Sequence, residues 1–432
     1  MPAHVSRLLI IAWLLALPLS GCNCEDERDD AQPWALGEPP DPNAAADMAD
    51  AAPDLPRDTP PDLPEDMAPE DMGQDLGQDM DIVIPPEIPW EREVVEEVSE
   101  EQALTDRTSL GVGDDGIIWL GYHSCGADLR CTNPQLAVAR RAPRSAGWAK
   151  EQVTPQSGTF GLDVWGAQPF VAYLDERNQQ LRVGRRGANG QWTLRALDVT
   201  YTGIYDGLDI THDGQRVYVT FANDIGDPVA LFALDMTRAG ADWFKLQSLD
   251  VGPASAALER GLHADGNGNL FLVHRAGDFG PYGVARFRLQ DNLWDRNTYF
   301  SNAQQIVSSM VAIPNGDLCI ASTLDEIVTV SCGTIRDLER QVEPLTDERT
   351  TTYSSMIRGR DGSLILAYNY RQNEALRVAR RYPNGQWDIR TVFDGPSYGV
   401  STAIDTENKL VISYYTCRQQ RCTLEVLRQP YQ

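Results

Sequence analysis

The chain writes one phrase twice. Leu181–Trp192 reads LRVGRRGANGQW, and Leu376–Trp387 reads LRVARRYPNGQW, 195 positions later. A near-copy that far along one chain marks an internal repeat, which restricts the fold to architectures stacked from one supersecondary unit. Short apolar runs ending in a small residue and usually an aromatic recur throughout: IWLGY (118–122), PFVAY (169–173), VYVTF (217–221), LFLVH (270–274), LCIAS (318–322), LILAY (364–368) and LVISY (410–414). Each is preceded by a small residue at Ser109, Gly161, Gly207, Gly261, Ser309, Ser355 or Ser401, at intervals of 52, 46, 54, 48, 46 and 46. Between the two lies a turn signal (DDG, HDG, GNG, PNG, RDG or TEN) that supplies the positive φ of a tight hairpin.

A third strand follows each aromatic: LAVARR, LRVGRR, LFALD, VARFRL, IVTVSC, LRVARR and TLEVLR. A fourth opens on Trp148, Trp192, Trp243, Trp294 and Trp387. The fifth unit lacks its tryptophan, and its fourth strand is expected near Leu338–Val342. The twelve-residue phrase is therefore the third strand, the turn and the start of the fourth strand of units two and six. Period-2 alternation and β-branched or aromatic enrichment exclude a helical solenoid. Four strands per unit at a period near 48 predict an all-β, seven-bladed β-propeller.

The chain ends after the third strand of unit seven. Trp90–Val98, WEREVVEEV, has the form of a fourth strand and is expected to close the ring from the other end, covering a sheet edge. The propeller then spans residues 89–432.

The first 21 residues read as an export signal: His4 and Arg7 precede the apolar run LLIIAWLLAL, which is short for a bilayer span. The run leads to Leu19-Ser20-Gly21-Cys22, which resembles the lipobox of bacterial lipoproteins. The resemblance implies cleavage before Cys22, acylation of Cys22, and a protein held in the bacterial cell envelope, periplasmic or on the surface, with the membrane as a partner through that lipid. Residues 22–88 are rich in Asp, Glu, Pro and Ala and poor in large apolar side chains, so they predict a disordered acidic tether. As a coil its reach is about 45 Å. Residues 1–104 hold 26 acidic and 4 basic residues, leaving 37 and 33 for the remainder. Of the net charge of −26, −22 thus lies in residues 1–104, most of it in the tether. The propeller is close to neutral and its arginine pairs sit apart at third-strand ends, which disfavours nucleic acid as a partner. A monomer is expected.

Eight cysteines fit an oxidising compartment. With Cys22 on the lipid and Cys24 left over, six form close pairs, Cys125 with Cys131, Cys319 with Cys332 and Cys417 with Cys422. Each pair joins the second and third strands of one blade. Disulfides are the economical reading. Isolated C-x5-C and C-x4-C spacings argue poorly for metal.

Two sets of residues are candidates for ligand binding. The loops from strand four to strand one, and from strand two to strand three, share one face of a propeller. The last residues of the second strands approach that rim: Tyr122, Tyr173, Phe221, His274, Ser322, Tyr368 and Tyr414. They could stack on a sugar or a partner's side chains, or pack between blades. The third position of each innermost strand reads Gly111, Asp163, Asp209, His263, Val311, Ile357 and Ala403. Asp163, Asp209 and His263 fall in successive blades, with Arg260 and Arg358 near in sequence. They could form inter-blade hydrogen bonds, hold a divalent cation, or serve as acid and base. No other cofactor is expected.

The turns and aromatic strands over residues 90–432 also resemble the propellers of the sialidase and BNR-repeat group. The group's Asp-box, S-x-D-x-G-x-x-W, is absent, and its arginine triad and Tyr/Glu nucleophile pair find no counterpart here. The resemblance implies the fold without assigning the glycosidase residues. G-x-S-x-G, H-E-x-x-H and P-loop signatures are absent too. The residues point to a membrane-anchored, exported binding or scaffold module for a protein or glycan, with a carbohydrate-active enzyme using channel-mouth carboxylates as the alternative.

Overall fold

A computed structural model describes residues 89–98, 107–125, 134–155, 157–200, 207–222, 228–238, 240–249, 257–275, 282–298, 306–314, 316–324, 326–338, 342–345, 350–370, 374–418 and 421–429. The expected export signal and the expected tether with Cys22 and Cys24 lie outside them, as does Cys131.

Twenty-eight strands form seven four-stranded antiparallel sheets. Strand β1 (Glu91–Val98) stands apart. Blade one follows as β2 (Ser109–Val112), β3 (Ile118–Ser124), β4 (Gln135–Arg141) and β5 (Ala149–Thr154). Blade two is β6 (Phe160–Trp165), β7 (Gln168–Asp175), β8 (Gln180–Arg186) and β9 (Trp192–Thr200). Blade three is β10 (Gly207–His212), β11 (Arg216–Ala222), β12 (Val229–Asp235) and β13 (Phe244–Leu249). Blade four is β14 (Ala257–Ala264), β15 (Asn269–Arg275), β16 (Tyr282–Arg288) and β17 (Leu293–Thr298). Blade five is β18 (Ile306–Ala312), β19 (Leu318–Leu324), β20 (Ile327–Gly333) and β21 (Val342–Pro344). Blade six is β22 (Thr350–Arg358), β23 (Leu364–Tyr370), β24 (Ala375–Arg381) and β25 (Trp387–Asp394). Blade seven begins with β26 (Tyr398–Ile404), β27 (Leu410–Arg418) and β28 (Arg421–Arg428).

The innermost strands of neighbouring blades touch around a closed circuit that returns from β26 to β2. This is the seven-bladed β-propeller that the repeat predicts. Strand β1 completes blade seven by pairing antiparallel with β28, from Glu91 opposite Arg428 to Val98 opposite Cys422. Its Arg92 guanidinium forms a bidentate ion pair with the buried Glu425 of β28, which also accepts hydrogen bonds from Tyr414 (2.7 Å) and Thr423 (2.7 Å). Burial alone would push the Glu425 carboxyl up. The hydrogen bonds from Arg92, Tyr414 and Thr423 outweigh it and hold the group below the usual carboxylate range.

Buried apolar side chains fall into seven clusters, one for each blade-to-blade interface. The hairpins between first and second strands carry a left-handed residue where the turn requires it, among them Gly116 (φ 76°), Gly362 (φ 83°) and Asn408 (φ 63°). The fifth blade departs from expectation at its outer strand. This strand is only Val342–Pro344, and Leu338, expected to open it, is instead fully buried in the preceding turn. Without a tryptophan to seat its start, the outer strand pairs with just Thr329, Val330 and Ser331.

Strand direction fixes two faces. The tight turns after first and third strands lie on one, the turn face. The loops after second and fourth strands lie on the other, the loop face. Because Glu91 pairs with Arg428, the chain enters the ring at the turn face.

Candidate functional site

Inter-blade mortar surrounds the channel. At position one of the innermost strand, Ser109 Oγ accepts the N–H of Leu162 in the next blade (3.0 Å), Ser355 Oγ that of Thr402 (3.1 Å), and Ser401 Oγ that of Leu110 (3.1 Å). Blade three has Gly207 at that position, with no side chain to offer. There the third-position Asp209 takes over: Oδ2 accepts the Leu262 N–H of blade four (2.8 Å) and Oδ1 the N–H of its own neighbour Ile210 (2.8 Å). Blade two has Gly161 and makes a related bridge. Asp163 accepts the N–H of Val164 (2.8 Å) and a backbone hydrogen bond from His212 of blade three, whose imidazole Nε2 lies 3.9 Å from Oδ2.

The two aspartates differ in access. Asp209 is buried, whereas the Asp163 side chain keeps 28% of its exposure, facing the channel. Enclosure by the ring still pushes the Asp163 carboxyl above its ordinary range, against the pull of His212 and the backbone donors. His263, in the next blade, is partly exposed along the same channel. Burial of its imidazole lowers its pKa to about 4, so it is neutral at pH 7. Among the described residues, no three His, Cys, Asp or Glu side chains converge as a metal ion requires. The Arg260 side chain lies outside the described residues, and Arg358 is exposed at the end of β22.

The rim aromatics do not line an open mouth. Tyr122, Tyr173, Tyr368 and Tyr414 are fully buried, as are Phe221 and Ser322, and His274 is 6% exposed. Tyr122 donates to Glu96 of β1 (2.7 Å), and Tyr414 donates to Glu425. Burial, reinforced by the adjacent carboxylate, pushes both phenols far above their ordinary range, so they stay protonated and donate to those carboxylates. The repeat places these rings in the apolar space between sheets, where they contribute packing rather than stacking faces.

Sequence reasoning missed the groups that explain the duplicated phrase. In blades one and six the final arginine of the third strand and the tryptophan opening the fourth both reach back to a glutamate on the outer strand of the preceding blade; in blade two the arginine alone does. Glu93 on β1 receives Arg141 (2.6 Å) and the Trp148 indole (3.0 Å). Glu151 on β5 receives Arg186 through both oxygens (2.9 and 3.1 Å). Glu343 on β21 receives the Trp387 indole (2.8 Å), with Arg381 at 3.6 Å. Two of these glutamates stand three residues after a tryptophan, Trp90 to Glu93 and Trp148 to Glu151, and that spacing was the available signal.

Two of the expected cysteine pairs are disulfides, Cys319–Cys332 and Cys417–Cys422, each joining facing residues of the second and third strands. Cys125 is also disulfide-bonded. The bonds suit an oxidising, extracytoplasmic environment. Among the described residues no helix is long and apolar enough to cross a membrane.

No protein-family profile matches the chain, and no curated protein matches it. Solved structures do. YCF48 bound to D1 peptide is similar at a TM-score of 0.51 and 12% identity, over 81% of this chain and 97% of that one. A streptogramin B lyase is similar at 0.48 and 11%, over 79% and 98%, and the NanB sialidase of Streptococcus pneumoniae at 0.46 and 10%, over 80% and 71%. At such identities the likeness is one of fold, which is that of a β-propeller.

Proposed function

We propose that this protein is an exported binding module, anchored by a lipid on Cys22, that presents the loop face of its propeller to a protein or glycan. The observation carrying the reading is the state of Asp209. A glycosidase needs two carboxylates facing one cleft, free to exchange protons or attack. Asp209 is instead buried with both oxygens committed to backbone N–H groups, leaving Asp163 alone with channel access. Between the described strands the two longest connections, 99–108 and 125–134, lie on the loop face. Loops carried on a rigid scaffold are where binding residues gather. The fold itself is used for peptide binding in YCF48, whose structure holds the D1 peptide.

The test is to screen the immobilised full chain against a glycan array and against envelope extracts, alongside hydrolysis assays on aryl sialosides and other aryl glycosides. Retention of a partner with no turnover is expected. Turnover abolished by Asp163→Asn would replace the binding reading with the enzymatic one. For the anchor, Cys22→Ala should move the protein from the membrane fraction to the soluble fraction, and unchanged membrane retention would remove the lipid from the proposal.

A further inference from the structure

The channel holds a carboxylate without a full countercharge. A carboxylate offers about four acceptor positions. Asp163 fills two, with the backbone N–H groups of Val164 and His212. Its side-chain partner among the described residues is the His212 imidazole, whose Nε2 stands 3.9 Å from Oδ2, beyond hydrogen-bond reach. No lysine or arginine among the described residues pairs with it, and His263, next along the channel, is neutral at pH 7. Both sides of the gap meet solvent: the Asp163 side chain is 28% exposed and that of His212 32%. Asp209, at the same position in blade three, is closed off.

Two atoms at that separation can both be reached, at about 2.8 Å each, by one small donor group set in front of them. Two ligands are too few for a metal ion, and no third His, Cys, Asp or Glu among the described residues joins them. A guanidinium is a wide planar fork, whereas a primary ammonium is a compact charge whose three donors suit Oδ2, the imidazole and the channel beyond.

Strands β6 and β10 both run from the loop face to the turn face, and His212 is the last residue of β10, so the pair lies toward the turn-face mouth. The inner turns around that mouth place Asp115, Asp213, Asp265, Asp317, Asp361 and Asp405, one in every blade but the second, against Arg360 and Lys409. Charge of one sign around a narrow, low-dielectric opening draws cations into it.

We propose that Asp163 and His212 bind the primary ammonium group of a small aliphatic amine, which enters the channel from the turn face. The site is separate from the loop face and does not depend on what that face binds.

The test is an NMR titration of the full chain carrying isotope-labelled histidine, at about pH 8, where free imidazoles are neutral and aliphatic amines stay protonated. His212→Gln identifies the His212 signal. n-Butylammonium should shift that signal saturably. n-Butanol, of similar size but uncharged, should not. Tetramethylammonium, charged but without N–H donors, should need about tenfold more for the same shift. Asp163→Asn, which keeps an acceptor for the backbone, should weaken n-butylammonium by about tenfold with the thermal transition in place. If that variant melts early, the contrast between the three probes on the unaltered chain still decides. A His212 signal unmoved by the amine, an equal response to n-butanol, or undiminished binding in a folded Asp163→Asn chain would overturn the proposal. So would a response to a magnesium or calcium salt with none to the amine.

Discussion

Asp209 and His263 occupy equivalent positions in neighbouring blades and do different work. Asp209 stands in for the serine that blades one, six and seven use to accept an N–H from the next blade. Asp209→Ala would leave the Leu262 N–H buried and unpaired, at a cost of about 1–3 kcal/mol, whereas Asp209→Asn, whose amide oxygen can still accept, should cost less. Chemical denaturation of the two variants checks the order. His263 makes stability depend on acid. Its folded pKa is about 4 against an ordinary 6.5, so on acidification the unfolded chain takes up a proton that the folded chain refuses. The contribution of neutral His263 is intact above pH 6.5 and declines from there to about pH 4. His263→Leu should show a shallower loss of stability across that window in pH-resolved melts.

At the scale of elements, the strand pattern was legible because it rests on local chemistry. Glycine or asparagine at left-handed turn positions, alternating apolar residues and a repeated Ser or Gly at position one each announce a strand or its end without long-range information. Inter-blade hydrogen bonding was among the roles expected for Asp209, but its partner was not legible, because Asp209 and Leu262 are 53 residues apart and belong to different units. For the tyrosines, packing between blades was one of the two roles expected, and the structure has the four buried there, but which neighbouring sheet covers each was not legible. The expected start of the fifth outer strand failed for a related reason: apolar Leu338 suited a strand, but the core claimed it in a turn. The glutamate latches give an element-level prediction. Glu93→Ala removes the acceptor for both Arg141 and Trp148, leaving a nearly buried guanidinium without its carboxylate. Glu343→Ala also removes the acceptor of the Trp387 indole, but it releases an arginine that is more exposed and held only at 3.6 Å. The first substitution should lower the melting temperature clearly more than the second, as calorimetry would show.

For the whole molecule, the ring is closed by strand pairing rather than by a covalent link. Every other outer strand is joined to its blade by a short turn, but β1 reaches blade seven from the opposite end of the sequence. Deleting residues 1–98 would strip Arg92 from buried Glu425 and expose the length of β28. The truncated chain should lose cooperative unfolding in denaturant titrations and associate in sedimentation experiments, since the bare edge invites another strand.

The polarity of β1 has a mechanical consequence. Its first residue is at the turn face and its last at the loop face, so tension between an anchor upstream and a ligand gripped on the far side would run along the strand. Ladder hydrogen bonds stand perpendicular to that axis. They would be loaded together in shear instead of being peeled one after another, and the weakest-looking seam in the circle would resist a tug best in the direction from which the proposed lipid anchor would pull.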